Sequence, residues 1–206
     1  MKLAFIGGGQ IAEAIAELAK AAGHDSTFGV RNPQAAAPTA FPRMGFQAAI
    51  DGADLVVLAI PWLVVGEVLP PLAGALAGKI VVDTTNAVNA DWSPFPTGEA
   101  SSGAEQIQAL LPRSSVVKAF NTIFADVIRP DRLDREGHRL SVFVASDDAE
   151  AAQAAMAFVS DIGLAPVNAG PLKSARYLEA IAHLNLELAF AQGDGTDSAI
   201  LYHRAA

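Results

Sequence analysis

The chain has no cysteine, which excludes disulfide bridges, thiolate nucleophiles, iron–sulfur clusters and cysteine-ligated zinc. Its four histidines, His24, His138, His183 and His203, show no metal-ligand spacing and read as surface or core side chains. There is no run of basic residues. Lysine and arginine number 14 against 22 acidic residues, a net charge of −8, so nucleic acid and anionic membrane surfaces are poor partners. The longest apolar run, residues 55–65, is interrupted by Pro61 and is too short to span a bilayer. Only Leu3 to Ile6 precede the first glycine, too short a stretch for a secretory signal, and the expectation is a cytoplasmic protein. Neither a Gly-x-Ser-x-Gly elbow nor a phosphate-loop lysine motif occurs, which argues against hydrolases and kinases.

What the chain does have is concentrated in its first 32 residues. An apolar strand, Lys2–Ile6, runs into Gly7, Gly8 and Gly9, then a helix, then a second strand closing on Gly29, Val30, Arg31 and Asn32. In a G-x-G-x-x-G/A loop the first glycine makes the turn and the second admits a pyrophosphate to the backbone. The third small residue lets helix and strand approach closely. Here those positions are Gly7, Gly9 and Ala12. Ile11, Ile15, Leu18 and Ala22 recur at helical spacing, and Gly23 stops the helix. The unpaired N–H groups and positive dipole end of that helix suit a phosphate without any lysine.

Arg31 stands 22 residues beyond Gly9, close to the roughly 20-residue interval at which an acidic residue would bind a ribose 2′-hydroxyl. No carboxylate occupies Gly29, Val30 or Arg31. A guanidinium there can pair with a 2′-phosphate, so NADP(H) is expected over NAD(H); the alternative is a solvated arginine at a strand end.

Further along, strands alternate with helices. A Pro- and Ala-rich loop is expected over 33–42, a strand over 53–60, a helix over 62–77 and strands over 79–83 and 116–119. Residues 88–103 form a polar loop, either a lid or a surface excursion, before a short helix ending at Leu111. A strand over 140–145, a helix over 148–161 capped by Ser146 or Asp147, and a strand over 164–167 complete the alternation. The charged stretch 126–139 reads as a solvated connection. This order predicts an α/β fold with a doubly wound, mostly parallel sheet of Rossmann type. It reads as a single NADP-binding domain over 1–206, with residues 171–206 as a carboxyl-terminal helical extension.

Ligands of such sheets collect outside the carboxyl ends of strands. Three ends carry flat apolar groups or amides: Ala59, Ile60, Pro61 and Trp62; Asp83, Thr84, Thr85 and Asn86; and Lys118, Ala119, Phe120, Asn121 and Thr122. Trp62 can cover a ring or anchor a core. Asn86 and Asn121 can bind a carboxamide or turn the backbone. Lys118, one position inside its strand end, is expected to form a structural ion pair rather than to serve as a catalytic ammonium. No catalytic dyad is evident.

The ordered segments GGGQIA, GVRN, AIPW, DTTN, VVKAFNT and NAGPLKSARYLE resemble the deazaflavin-dependent NADP reductase family. They are also similar to the cytosolic oxidoreductase domain of membrane metalloreductases. The resemblance implies that Gly8, Gly9, Gln10 and Ile11 cradle the pyrophosphate and that Arg31 and Asn32 hold the 2′-phosphate. It further implies that Pro61 and Trp62 flank the dinucleotide, and that Phe120, Asn121 and Thr122 lie by the nicotinamide and a second ring. Family members commonly carry serine before the arginine where this chain has Val30, which implies a weaker NADP preference. Archaeal deazaflavin reductases have a different segment at 118–122.

The reaction so implied is hydride transfer between nicotinamide and a deazaflavin or flavin-like ring, which needs orientation and desolvation more than an acid–base pair. Reduction of a small carbonyl or imine, or non-catalytic sensing of NADP(H), are the alternatives. In the last helix, about 172–192, Lys173, Arg176, Glu179, His183 and Glu187 form one polar stripe. Leu178, Ile181, Leu184, Leu186 and Leu188 spread opposite. So wide an apolar arc predicts a homodimer through this helix, and Asn185 within it requires a hydrogen-bond partner.

Overall fold

The computed structural model describes residues 1–34, 39–98 and 100–204. In chain order the elements are β1 (Lys2–Ile6), α1 (Gln10–Ala21), β2 (Asp25–Gly29), β3 (Arg43–Met44), α2 (Phe46–Ile50), β4 (Leu55–Leu58), α3 (Val65–Val68) and β5 (Ile80–Asp83). They continue with α4 (Gly103–Leu110), β6 (Ser115–Lys118), β7 (Asp134–Arg135), β8 (His138–Arg139), β9 (Ser141–Ala145), α5 (Ala149–Asp161), β10 (Ala165–Gly170) and α6 (Ala175–Leu186).

Eight strands form one sheet in the order β10-β9-β6-β5-β4-β1-β2-β3. From β3 to β6 every pairing is parallel, and the order 3-2-1-4-5-6 is that of a dinucleotide-binding sheet. β9 joins β6 antiparallel, with Lys118 opposite Ala145, and β10 lies parallel to β9. The fold class read from the alternation is therefore the one observed: Rossmann-like α/β, with a helix at the carboxyl end.

Both faces of the sheet are covered, because side chains alternate across a strand with period two. Leu3, Phe5 and Val57 face the layer built on α1 and α5. Ala4, Ile6, Val56 and Leu58 face the layer that includes Leu69, Ile107 and Ala175. All four residues of β4 are buried, as a continuous apolar run requires. In α1 the buried stripe is Ala12, Ile15, Ala16, Leu18 and Ala19; burying a side chain such as Ile15 contributes about 1.5–3 kcal/mol.

Four local expectations are corrected. The helix over 62–77 is broken into a 3-10 turn, the four-residue α3 and a second 3-10 turn at Pro70–Leu72, since Pro70 and Pro71 supply no amide hydrogen. α5 is capped by Asp148, which accepts from the N–H groups of Glu150 and Ala151, and not by Ser146 or Asp147. Asp147 instead accepts from Leu172 N at 2.9 Å, ahead of α6. The stretch 126–139 is more than a solvated connection: Val127 and Ile128 are buried in the core, and β7 and β8 make a hairpin. Last, Glu179 is buried rather than part of a polar stripe, and the helix changes to one π-helical turn at Glu187–Ala191. The loop expected over 33–42 falls at 35–38 outside the described residues, as does position 99.

Candidate functional site

At the first glycine of the loop, contact leaves no room for a side chain. Gly7 has φ +112°, and a Cβ there would sit 2.1 Å from the Ala59 carbonyl oxygen. Gly9 is the N-cap of α1, makes no side-chain cap, and has nothing within 4 Å of a built Cβ. The α1 amino terminus is thus open to an incoming anion, which is what the pyrophosphate of a dinucleotide needs. Ala12 is fully buried against the sheet, as the third small position demands.

Beside this loop, a cavity of about 650 Å³ opens at the carboxyl ends of β1, β4, β5 and β6. Gly9, Gln10 and Ile11 form one edge, and Ile60, Pro61 and Trp62 a second. Asn86, Asn121 and Thr122 reach it from the ends of β5 and β6. Nine of the residues expected at the site therefore meet in one place.

The two asparagines are joined. Asn86 Nδ2 donates to the Asn121 carbonyl at 2.9 Å, and Asn121 Nδ2 donates back to Asn86 Oδ1 at 2.9 Å and to the Leu178 carbonyl at 3.1 Å. The side-chain oxygen of Asn121 and the hydroxyl of Thr85 are buried with no hydrogen-bond partner. Both residues line the cavity, and such orphaned polar atoms beside the amide pair fit a carboxamide-bearing ligand.

Five expected residues lie outside the cavity lining: Gly7 and Gly8 in the glycine loop beside it, and Arg31, Asn32 and Phe120. Arg31 and Asn32 are exposed outside the cavity, with Arg31 Nη2 donating to Glu67 at 3.2 Å. Phe120 is a correction: it is 1% exposed, with its ring 6.3 Å from that of Phe158 in the core. Its contribution is to the backbone. With φ +64° it occupies the left-handed region, which redirects the chain just past β6 so that Asn121 and Thr122 face the cavity. Trp62 proves to be both things weighed for it, an 8% exposed core side chain edge-on to Phe95 and a wall of the cavity.

Several lining residues were not anticipated. Thr84 and Thr85 immediately precede Asn86, and their strand-end position was the available signal. Val88, Asn89 and Trp92 show the loop after β5 to be a wall of the site. Phe124 and Phe190, rings 6.2 Å apart, close the far side from segments distant in sequence, which no local periodicity reveals. Asn185 of α6 also reaches the cavity and finds its partner, the Thr122 carbonyl, at 3.3 Å.

Lys118 forms the structural ion pair expected of it. Its ammonium, fully buried, lies 2.9 Å from Asp83 Oδ2 and 3.3 Å from Glu179 Oε1. Glu179 in turn accepts from Gly103 N and Ala104 N at the start of α4, at 3.0 and 3.2 Å. Among the described lining residues Asp126, at the mouth, is the one with an acidic or basic side chain.

Comparison with known proteins agrees with this geometry. Residues 2–87, from β1 past the end of β5, match the family described as NADP oxidoreductase coenzyme F420-dependent. Over that segment the chain is similar to coenzyme F420-dependent NADP oxidoreductases. The match agrees with the resemblance to deazaflavin-dependent NADP reductases over GGGQIA, GVRN, AIPW and DTTN, the quoted segments that lie within residues 2–87. The chain is 31% identical over 183 residues to the metalloreductase STEAP3 of Rattus norvegicus, covering 87% of this chain and 36% of that protein. It therefore spans about a third of the length of that curated relative. A solved structure of an assigned F420-dependent NADP reductase from Arthrobacter sp. FB24 superposes with TM-score 0.85 at 27% identity, covering 95% of this chain and 96% of that one. The structure of protein SMa0349 from Sinorhizobium meliloti gives TM-score 0.75 at 28% identity, over 85% and 87% of the two chains. Among the described residues no helix is long and apolar enough to cross a membrane.

Proposed function

We propose that this protein is an NADP(H)-dependent oxidoreductase that transfers a hydride between nicotinamide and a planar acceptor of deazaflavin or flavin type. The observation that carries the reading is the cavity itself: an open glycine loop and helix terminus on one edge, aromatic Trp92, Phe124 and Phe190 on the other, and an amide pair between. When bound, NADPH supplies the hydride. The N–H groups at the start of α1 would hold its pyrophosphate, with Arg31 and Asn32 toward the 2′-phosphate. Asn86, Asn121 and Thr85 would orient the carboxamide, and the apolar walls would exclude water, bringing two rings into reach with no acid–base dyad.

Residues 1–206 act in this reading as one NADP-binding unit, with 171–206 as its helical extension. That extension supports a homodimer. Tyr177, Leu184 and Leu188 are exposed by 73%, 54% and 37%, and with half-buried Ile181 they repeat at intervals of 4, 3 and 4 along the helix, the spacing of a helix-pairing seam.

The experiment is a titration of purified protein with NADPH, NADH and a series of deazaflavin and flavin acceptors, read by both binding and nicotinamide oxidation. NADPH oxidation that depends on the acceptor is expected. Tight NADPH binding with no acceptor-dependent oxidation would replace the reductase with a cofactor-sensing role.

A further inference from the structure

The end of β2 is where a dinucleotide site discriminates a 2′-hydroxyl from a 2′-phosphate. The two positions there that could offer a hydroxyl do not: Gly8 has no side chain and Val30 is apolar. Arg31, at 68% side-chain exposure, pairs with an equally exposed Glu67. A guanidinium so placed is screened by water and loses rotamer freedom when it binds.

A second guanidinium occupies the gap. Arg43 lies in β3, paired beside Phe28 of β2. Val30 N donates to the Met44 carbonyl and Gly7 N to the Gly29 carbonyl, each at 2.9 Å, so β3, the end of β2 and the glycine loop are tied edge to edge. A Cβ built on Gly8 would stand 3.4 Å from Phe28, 3.5 Å from Val30 and 3.9 Å from Arg43 Nη2. The guanidinium of Arg43 thus rests over the bare glycine. Its side chain is 11% exposed, and Glu13 of α1 faces it at 3.5 Å.

We propose that Arg43 is a binding residue for the 2′-phosphate and the main determinant of NADP over NAD in this chain. Resting on the NADP reading above, the inference assigns the selectivity to a residue that lies 34 positions past Gly9 rather than 22. Preorganisation favours Arg43 over Arg31. A guanidinium already fixed by strand pairing and a neighbouring carboxylate gives up little freedom on meeting a phosphate, and its planar fork matches the phosphate oxygens. Glu13 acts in both senses: its charge helps to hold Arg43 in place and repels the incoming anion, and because strand pairing and burial already fix Arg43 the repulsion is the larger effect.

The test is direct binding, by fluorescence or calorimetry, of NADPH, NADH, 2′,5′-ADP and 5′-AMP to the full chain and to Arg43→Gln, Glu13→Gln and Arg31→Ala. Arg43→Gln is expected to weaken NADPH and 2′,5′-ADP at least tenfold while NADH and 5′-AMP change less than twofold. Glu13→Gln is expected to tighten NADPH severalfold and leave NADH unchanged. Equal losses for NADPH and NADH in Arg43→Gln would make Arg43 a purely structural tie and overturn the inference. Should Arg43→Gln fail to fold, Glu13→Gln decides, since unchanged or weaker NADPH binding overturns it as well. Failure of the wild-type chain to prefer NADPH at all would instead overturn the NADP reading on which this stands.

Discussion

Lys118 at the end of β6 holds Glu179 of α6 at 3.3 Å, in a place where the ammonium is wholly buried and the carboxylate nearly so. Because Glu179 also accepts the first N–H groups of α4, one carboxylate ties two helices to the sheet edge that bears the cavity. Asp83 completes the compensation of the lysine. A charge in such surroundings is tolerable only while its partners remain.

Removal of either partner should therefore destabilise the protein strongly. Glu179→Ala and Lys118→Met are each expected to cost about 3–5 kcal/mol, the range for breaking a buried pair, measured by urea unfolding. The same variants should weaken NADPH binding secondarily, since Asn121 is tied to the Leu178 carbonyl beside Glu179.

Arg31→Ala is expected to have a small effect on cofactor binding. An exposed charged contact is worth about 0–1 kcal/mol, so NADPH affinity should fall by roughly fivefold at most. The loss should shrink as salt is raised, whereas that of Arg43→Gln should persist. Binding isotherms at low and high ionic strength measure both.

Phe190→Ala should separate the two halves of the reaction. Phe190 lines the far wall with Phe124 and is 65% exposed, so its loss is expected to raise the acceptor KM by about tenfold, the worth of a good aromatic contact. NADPH affinity should remain within twofold. Steady-state kinetics with acceptor varied at saturating NADPH give the answer.

Acid should loosen α4 from α6. The hydrogen bond from Arg176, at 2.6 Å to Oε1, is the main cause that holds the Glu105 carboxyl below its ordinary range, against a smaller opposing effect of burial. A carboxylate with a depressed folded-state pKa contributes stability above its unfolded value, near 4.3. That contribution is lost as pH falls through the folded value. Glu105→Gln should therefore lower the melting temperature at neutral pH and converge with wild type in acid, as followed by thermal melts across that window.

Leu184→Lys should produce monomers if the exposed seam on α6 joins two copies. Sedimentation at micromolar concentration is expected to show a dimer for wild type and a monomer for the variant, with NADPH affinity unchanged. A wild-type monomer at that concentration would count against the dimer.

The sheet was legible because its signals are local. Four buried residues in a row at β4, the glycines at 7 and 9, and amides at strand ends each follow from one segment's own chemistry. What escaped the sequence was whatever depends on contact at a distance. Phe124 and Phe190 meet only because the last helix folds back across the sheet, and Glu179 looks like a surface glutamate until Lys118 is opposite it. The helix expected over 62–77 failed for a local reason that was present in the sequence, the consecutive Pro70 and Pro71. Arg43 illustrates the other limit: its strand is two residues long, too short for any alternation to mark it.

Leu178 and Glu179 are neighbours on α6, yet one accepts the Asn121 amide through its carbonyl and the other neutralises Lys118 through its side chain. A helix turns by 100° per residue, so a single inserted or deleted residue ahead of them would rotate both out of place together. Relatives that keep this arrangement should therefore hold constant the spacing between Leu172, whose N–H meets the Asp147 carboxylate, and Glu179.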